Sequence, residues 1–141
     1  MTRFVLDNSV AMLWLLPQSQ PGGIAYADLV LDELGRVGAI VPGLWPLEAA
    51  NVVAKAQSRG VVTTQQATEF VALLGQLDLV VDPATAVHAL GRTLELARAH
   101  HLSAYDAAYL ELALRQRCAL ATLDAALAAA AEAAGVPRLG R

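Results

Sequence analysis

The chain has 141 residues, of which 56% are hydrophobic and 16% are charged, and its formal net charge at pH 7 is −3. This length corresponds to one ordinary domain, predicted to span residues 1–141, which buries roughly two-thirds of the surface that the unfolded chain exposes. The negative charge excludes the global basic field that non-specific nucleic-acid binding usually requires, so any contact with a nucleic acid must be local or assisted by a cation.

The single cysteine and the short apolar runs restrict the compartment. Cys118 has no second cysteine with which to form an intramolecular disulfide, which favours a reducing compartment, and it is most simply a small buried residue. No apolar stretch approaches the ~20 residues of a membrane span, and Asp7 interrupts the apolar run near the N-terminus that could be mistaken for a signal peptide. We therefore expect a cytoplasmic protein with no membrane contact.

The first half of the chain alternates between predicted strands and helices. The apolar run Phe4-Val5-Leu6 ends at Asp7 and predicts a short buried strand, followed by a helix over residues 9–16. The next elements are a loop over residues 17–23, an amphipathic helix over 24–37, a strand over 39–43, a helix over 45–59 that Gly60 ends, a helix from a Thr63 or Thr64 cap to about 76, and a strand over 77–83.

The second half continues the same alternation. It comprises a long helix over about 84–101 with Gly91 as an interior weak point, a helix from Ser103 to Arg117, a strand over 118–122, and an alanine-rich helix that ends before Gly135. Residues 135–139 are too short a stretch to assign. The alternation predicts an α/β fold in which a short four- or five-stranded parallel sheet is flanked by helices on both faces.

Four acidic residues fall at the boundaries of these elements. Asp7 and Asp124 each end a predicted strand, and Glu48 and Asp106 each lie in the first turn of a predicted helix. Local explanations exist for all of them. Asp7 and Asp124 have the chemistry of helix caps, Asp106 stands at capping-box spacing from Ser103, and Glu48 complements a helix dipole.

The same four acids also fit a shared site. The carboxyl ends of parallel strands meet at one edge of a sheet, which helix-start acids can reach as well. Carboxylates that crowd together repel one another and raise one another's pKa, and a hard divalent cation removes that conflict. Oxygen ligands without cysteine or histidine suit Mg²⁺ or Mn²⁺ rather than zinc. Such a site fits the hydrolysis of phosphodiester bonds.

Four short motifs carry a resemblance to a known family: Leu6-Asp7-Asn8-Ser9, Pro46-Leu47-Glu48-Ala49-Ala50-Asn51, Ser103-Ala104-Tyr105-Asp106-Ala107-Ala108-Tyr109 and Thr122-Leu123-Asp124. In this order and spacing the sequence resembles the PIN-domain ribonucleases, specifically the VapC-type toxins of type II toxin–antitoxin systems. The resemblance spans nearly the whole chain. It implies a PIN-like fold and endoribonuclease activity on structured RNA such as tRNA or rRNA. It further implies a homodimer and inhibition by a cognate antitoxin.

The resemblance also assigns roles to residues. It implies an acidic metal site made of Asp7, Glu48, Asp106 and Asp124, with Ser9, Asn51 and Thr122 as polar supports. Within that site we expect Asp7, Asp106 and Asp124 to be the closest ligands and Glu48 to act directly or through water. The sequence departs from the family where many relatives place a basic residue after the last acid, because Asp124 is followed by two alanines. With four carboxylates, one bound Mg²⁺ or Mn²⁺ is expected, and a second would arrive with the RNA.

One helix face suggests a path for substrate. Glu48, Asn51, Lys55 and Arg59 are spaced three, four and four residues apart and so line one face of a helix. Lys55 and Arg59 are predicted to bind RNA phosphates, the alternative being an exposed face ordered to suit the helix dipole. Weaker candidates for the same role, or more simply solvated surface residues, are Arg92, Arg98, Arg115 and Arg117.

Two other functions remain open at this point. A non-catalytic PIN-like protein-interaction module would keep the fold and use its apolar helices for pairing, but it would then carry an idle cluster of carboxylates. A phosphoryl-accepting α/β domain would use Asp7 or another acid as acceptor, although the only lysine, Lys55, lies early in the chain. Substitution of one acid separates the nuclease from the interaction module, because only the nuclease loses an activity while it keeps its fold and partner.

Overall fold

Four short parallel strands form one sheet in a computed structural model that describes residues 3–140 of the chain. The strands are β1 (Phe4–Leu6), β2 (Ala39–Val41), β3 (Leu79–Val81) and β4 (Leu120–Ala121), in the order β3-β2-β1-β4. β1 is central and entirely buried, as predicted, because it pairs with β2 on one side and β4 on the other. β3 lies at an edge and is partly exposed.

Helices flank this sheet, which confirms the predicted fold class. Their bounds are α1 (Asn8–Ala11), α2 (Ile24–Val37), α3 (Trp45–Ser58), α4 (Thr64–Gln76), α5 (Thr85–His88), α6 (Leu94–His100), α7 (Ala104–Gln116) and α8 (Ala125–Ala133). Thr63 caps α4 in a reciprocal capping box with Gln66, so the threonine cap predicted for this helix is confirmed.

The first predicted helix is wrong in extent. Instead of one helix over residues 9–16, α1 ends at Ala11 and a 3₁₀ turn follows over Met12–Trp14. Leu16 precedes a proline and leaves the helical region, with φ −125° and ψ 62°, because the proline ring disfavours helical backbone at the residue before it. The tighter turn places Leu13 in the core and lets the Trp14 indole N–H donate to the carbonyl of Ala27, 3.1 Å away.

The long helix predicted over 84–101 is interrupted where the sequence indicated weakness. A π-helical segment, Ala89–Thr93, joins α5 to α6 and contains Gly91. Glycine is a poor helix former, so the extra backbone freedom at this position allows the wider turn. The helix otherwise covers the predicted range.

The C-terminal stretch that the sequence left unassigned extends the sheet beyond β4. Arg138 forms a parallel bridge with Leu120. The amide of Leu120 donates to the carbonyl of Pro137 at 3.0 Å, and the amide of Leu139 donates to the carbonyl of Leu120 at 3.0 Å. This pairing holds the end of the chain against the strand that leads to Thr122.

The strand order defines where a ligand is expected to bind. The chain moves outward from β1 through β2 to β3 and then returns to place β4 on the other side of β1. In open α/β sheets, the crevice outside the carboxyl ends of the strands at such a reversal is the usual ligand site. Here that crevice lies between the ends of β1 and β4, which are followed by Asp7 and Thr122.

Candidate acidic site

Asp7 lies at the carboxyl end of β1 and is only 6% exposed. Its Oδ2 atom accepts hydrogen bonds from the hydroxyls of Ser9, at 2.6 Å, and Thr122, at 2.7 Å. Asp7 stands at the N-cap position of α1, but its side chain makes no capping hydrogen bond there. The capping explanation considered for Asp7 is therefore wrong, and its carboxylate is held by hydroxyl groups from two different elements.

The hydroxyls of Ser9 and Thr122 also join the ends of β1 and β4 to each other. Ser9 Oγ accepts from the amide of Leu123 at 3.0 Å, and Thr122 Oγ1 accepts from the amide of Asp124 at 3.0 Å. Each hydroxyl thus donates to Asp7 and accepts from the chain that follows β4. Both residues are in contact with Asp7, in the positions expected of polar supports.

Asp124 and Asp106 are held by the starts of their helices. Asp124 caps α8, with its Oδ1 atom accepting from the amide of Leu127 at 2.9 Å. The amide of Asp106 donates to Ser103 Oγ at 3.1 Å, so that Ser103 caps α7 and fixes the first turn that carries Asp106. The local explanation for Asp124 is therefore true, and it is compatible with a place in the acidic site.

Glu48, in the first turn of α3, is held by a residue to which the sequence analysis gave no role. The buried Tyr109 of α7 donates its hydroxyl hydrogen bond to Glu48 Oε1. Tyr109 follows Asp106 by three residues, and that spacing places both on one face of α7. This spacing was the available signal, because a tyrosine one turn after a functional acid points toward the same site.

The four carboxylates lie close enough to affect one another. Burial raises the pKa of Asp7, the hydroxyls of Ser9 and Thr122 lower it, and the charge of Asp124 raises it again. Burial likewise raises the pKa of Asp106, and the charges of Asp124 and Asp7 raise it further. The fold therefore brings acids from three separate elements into one electrostatic cluster.

Glu48 belongs to the same cluster from the side of α3. Burial raises its pKa, the hydrogen bond from Tyr109 lowers it, and the charges of Asp7 and Asp106 raise it. Burial and the bond to Glu48 also raise the pKa of Tyr109, so that its phenol stays protonated and remains a donor. Within residues 3–140, no lysine, arginine or histidine forms an ion pair with any of the four acids.

The donor chemistry of this cluster fits a hard divalent cation, because every ligand atom is an oxygen and the uncompensated charge is negative. The side chains do not converge as they stand: among the residues that the structure describes, no group of three or more His, Cys, Asp or Glu side chains is arranged to hold a metal ion. Asp7, Glu48 and Asp124 each use one carboxylate oxygen to accept a hydrogen bond. The second oxygen of each carboxylate remains available to coordinate a cation. A cation at this site would therefore require the side chains of these acids to adopt other positions.

A comparison with protein-family models identifies the fold family. The PIN domain model matches residues 4–133, almost the whole chain. The chain belongs to the PIN domain family. PIN domains are generally nucleases, so membership of the family indicates a nuclease-type function for this chain.

A solved structure gives independent support for the PIN fold. The crystal structure of PAE2754 from Pyrobaculum aerophilum is similar to this PIN domain with a TM-score of 0.61 and 20% sequence identity, over 92% of this chain and 86% of that one. At this identity the likeness concerns the fold alone. No curated protein matches the sequence. No helix within residues 3–140 of this PIN domain is long and apolar enough to cross a membrane.

The predicted supports and substrate residues on α3 are exposed. Asn51 makes no hydrogen bond to the four acids in the part of the chain that the structure describes, unlike Ser9 and Thr122. Lys55 in the last turn of α3 and Arg59 at its C-cap are exposed, and neither forms an ion pair within residues 3–140. The two cations on this face of the PIN domain are therefore available to a ligand.

Arg115 is a correction to the list of surface arginines. Its guanidinium pairs with the buried carboxylates of Asp82 and Glu111, at 2.6 and 2.7 Å, and its side chain is only 23% exposed, so it is not a solvated surface arginine. The pair Glu111 and Arg115 has the i,i+4 spacing of a helix ion pair, but Asp82 lies 33 residues away in the chain and could not be matched to it from sequence. Arg92 pairs with Glu95 on the surface at 3.5 Å.

Proposed function

We propose that this PIN domain is a Mg²⁺- or Mn²⁺-dependent endoribonuclease, a VapC-type toxin that hydrolyses phosphodiester bonds of structured RNA such as tRNA or rRNA. The observation that carries the proposal is the cluster of four carboxylates at the β1–β4 crevice. They come from four separate elements, the pKa values of Asp7, Glu48 and Asp106 are raised by burial and by neighbouring acids, and no cation within residues 3–140 pairs with any of the four. A fold that concentrates negative charge in this way without compensating it is suited to an external cation.

The cation would be held by Asp7, Asp106 and Asp124, with Glu48 bound to it directly or through water. When bound, it would neutralise the carboxylates, orient a phosphate and make water a better nucleophile near neutral pH. The four acids supply enough oxygen ligands to hold one cation well. A second would enter with the negatively charged RNA.

The remaining residues of the site position these acids. Ser9 and Thr122 donate to the same oxygen of Asp7 and so fix the plane of its carboxylate. Tyr109 performs the corresponding task for Glu48. Residues that orient ligands in this way typically contribute tenfold to a hundredfold in metal affinity or activity.

Substrate would approach along α3. Lys55 and Arg59 follow Glu48 on the same helix face and would bind RNA phosphates on the far side of the acidic site, with Asn51 between them and the acids. Since the whole chain is slightly acidic, these local cations are needed to offset the repulsion between the protein and RNA.

Protein partners would be a second copy of the chain and a cognate antitoxin. Val87 in α5 and Leu90 in the π-helical segment are 78% and 88% exposed, which is unusual for large apolar side chains and supports a protein interface. The antitoxin would place a basic segment in the acidic site and exclude both metal and RNA. That proposal fails if a complex with the antitoxin forms normally but leaves metal affinity and cleavage unchanged.

The deciding experiment is cleavage of an end-labelled small-RNA pool by the purified protein in Mg²⁺, Mn²⁺ or chelator. The test variant is Asp106→Asn and the matched control is Asp28→Asn, which removes an exposed carboxylate of α2 outside the site. We expect discrete products that require metal, persist in the control and fall by at least about a thousandfold in Asp106→Asn, because several kcal/mol of charge stabilisation are lost.

Two results would contradict the proposal. Cleavage that survives in folded Asp106→Asn would show that the acidic cluster is not the catalytic site. Absence of cleavage by the metal-loaded, folded protein on tRNA and rRNA substrates, combined with retained pairing to a partner, would favour the non-catalytic interaction module.

A further inference from the structure

A cavity of about 500 Å³ opens next to the acidic site, on the side of β4. It lies between α8 and the C-terminal stretch that pairs with β4, and its lining includes Leu120, Thr122, Ala128, Glu132, Val136 and Arg138. Thr122 belongs to both places, since its hydroxyl donates to Asp7 and the residue is also part of the cavity lining. An RNA strand bound at the acidic site would therefore have this cavity beside it.

Arg138 is held rigidly in the wall of this cavity. Its Nη2 atom donates to the carbonyl of Thr122 at 3.3 Å, and its Cζ atom lies 4.0 Å from the centroid of the Tyr26 ring. Tyr26 is fixed in turn, because its hydroxyl donates to the carbonyl of Leu139 at 2.9 Å. The guanidinium is thus oriented before any ligand arrives, which lowers the entropic cost of binding one.

The charge of Arg138 is uncompensated within the described residues. No carboxylate among residues 3–140 forms an ion pair with it, and its Nε atom is buried without a hydrogen-bond partner. Arg115 shows the opposite arrangement, with both faces of its guanidinium satisfied by carboxylates. Because Nε is buried, the donor left for a ligand is Nη1, which makes no hydrogen bond among the described residues and is suited to a charge-assisted bond to a phosphate oxygen.

The sequence gives this arginine further weight. Between Asp124 and Gly135 the chain contains no basic residue, and its one charged side chain there is Glu132. No side chain of α8 therefore carries a positive charge that could bind phosphate. Lys55 and Arg59 approach the acidic site from α3, on a different element. Arg138 lies on the β4 side of the acidic site, where its guanidinium donates a hydrogen bond to the carbonyl of Thr122.

We propose that this cavity binds the nucleotide that flanks the scissile phosphate, with Arg138 bound to its phosphate and the base against the accessible part of the lining at Ala128, Ala129 and Pro137. The inference rests on the proposed endoribonuclease function and assigns it a substrate-binding residue. Glu132 lines the same cavity and opposes phosphate there, so Arg138 and Glu132 influence RNA affinity in opposite directions.

The test measures equilibrium binding of a short, fluorescently labelled, random-sequence single-stranded RNA by anisotropy in Mg²⁺ at several salt concentrations. The intact protein carries Asp106→Asn so that the RNA is not consumed. We expect the additional change Arg138→Gln to weaken binding about tenfold, as for a lost charge-assisted hydrogen bond. It should also reduce the slope of log affinity against log salt by about 0.7, as for one lost phosphate contact. The RNA affinity of Arg138→Lys should lie between that of the protein with Arg138 and that of Arg138→Gln.

Matched controls separate a local contact from the overall charge. Arg36→Gln removes the same charge from an exposed ion pair on α2, and it should leave the salt slope unchanged. Glu132→Gln should strengthen RNA binding, whereas Asp28→Asn, which removes an exposed acid outside the cavity, should not. Because Glu132 is exposed, its variant should fold normally and keeps the test decisive if Arg138→Gln is unstable.

The outcomes distinguish this inference from the function on which it rests. If the wild-type protein cleaves RNA while folded Arg138→Gln, or failing that Glu132→Gln, binds with unchanged affinity and salt slope, the cavity assignment is overturned and the nuclease stands. If the Arg138 and Glu132 effects appear but the wild-type protein cleaves nothing, the RNA site is supported and the nuclease is refuted. Absence of any RNA binding overturns both.

Discussion

Two groups of carboxylates within residues 3–140 of this PIN domain differ in whether the fold supplies a cation. In the acidic site, burial and mutual repulsion raise the pKa of Asp7, Glu48 and Asp106. In the second group, burial of Asp82 is outweighed by hydrogen bonds from Arg115 and from the following loop, and its pKa is lowered. Acids that the fold neutralises itself are structural, whereas acids left to repel one another mark a place for something from outside.

The second group is a triad of Asp82, Glu111 and Arg115. Arg115 makes four hydrogen bonds, to Asp82 at 2.6 and 3.2 Å and to Glu111 at 2.7 and 3.0 Å. Asp82 also accepts from Thr85 Oγ1 at 3.2 Å, and Thr85 Oγ1 accepts from the amide of Gly43 at 2.8 Å. The triad therefore joins α7, which carries Asp106, to the loop that leads into α3, which carries Glu48.

The largest effect is expected from removal of the cation in the triad. Arg115→Met leaves two buried carboxylates uncompensated and should lower the free energy of unfolding by about 3–5 kcal/mol, as measured by denaturant unfolding. The matched control is Arg92→Met, which breaks an exposed ion pair with Glu95 and should change stability by less than about 1 kcal/mol. Equal losses of unfolding free energy in the two variants would mean that the triad contributes no more to stability than an exposed ion pair.

The next effect concerns Glu48, one of the acids of the acidic site. Tyr109→Phe removes the hydroxyl that orients Glu48, and it should lower the rate of metal-dependent RNA cleavage about tenfold to a hundredfold. Tyr105→Phe, which alters the exposed tyrosine before Asp106, should leave the rate near that of the wild type. A loss of activity that higher metal concentrations fully restore would place the effect in metal binding, and an unchanged rate would remove Tyr109 from the site.

The acids were predictable from sequence because their positions are set by local rules. Asp7 follows an unmistakable apolar strand, and Asp106 follows a serine cap, so each could be placed at an element boundary from its immediate neighbours. Parallel pairing then brings those boundaries together, since strand ends in a parallel sheet share one edge. Nothing beyond element order was needed to predict that Asp7 and Asp124 meet.

The contacts that support the site depend on distances along the chain that local patterns cannot span. Tyr109 is hydrogen-bonded to Glu48, from which it is separated by 61 positions in the sequence, and Thr122 is hydrogen-bonded to Asp7, from which it is separated by 115. The C-terminal stretch had no periodicity to assign, because Arg138 is held by a single bridge to Leu120 and by its own side-chain contacts. The proximity of these residues to one another follows from the strand order, which local sequence patterns do not give.

The smallest effect is a difference in how the two groups respond to pH without metal. Asp106 has a folded-state pKa above its ordinary value of 3.8, so the folded protein holds more protons there and stability falls as the pH rises through that range. At neutral pH, Asp106→Asn should therefore be more stable than the wild type by a few tenths to about 1 kcal/mol, a modest gain because Asp106 is partly exposed and solvent screens the repulsion. The gain should disappear toward pH 4, where the wild-type acid becomes protonated.

Asp82→Asn should behave in the opposite sense. The folded-state pKa of Asp82 lies below its ordinary value of 3.8, so its stabilising contribution is complete above that value and is lost as the pH falls through the lowered pKa. The variant should be less stable than the wild type at neutral pH, and its deficit should shrink only in strong acid. Thermal unfolding of both variants from pH 7 to pH 3 in chelator tests the pair together. Parallel pH profiles would mean that the acidic cluster is compensated within the fold after all, and the argument for an external cation would fail with that result.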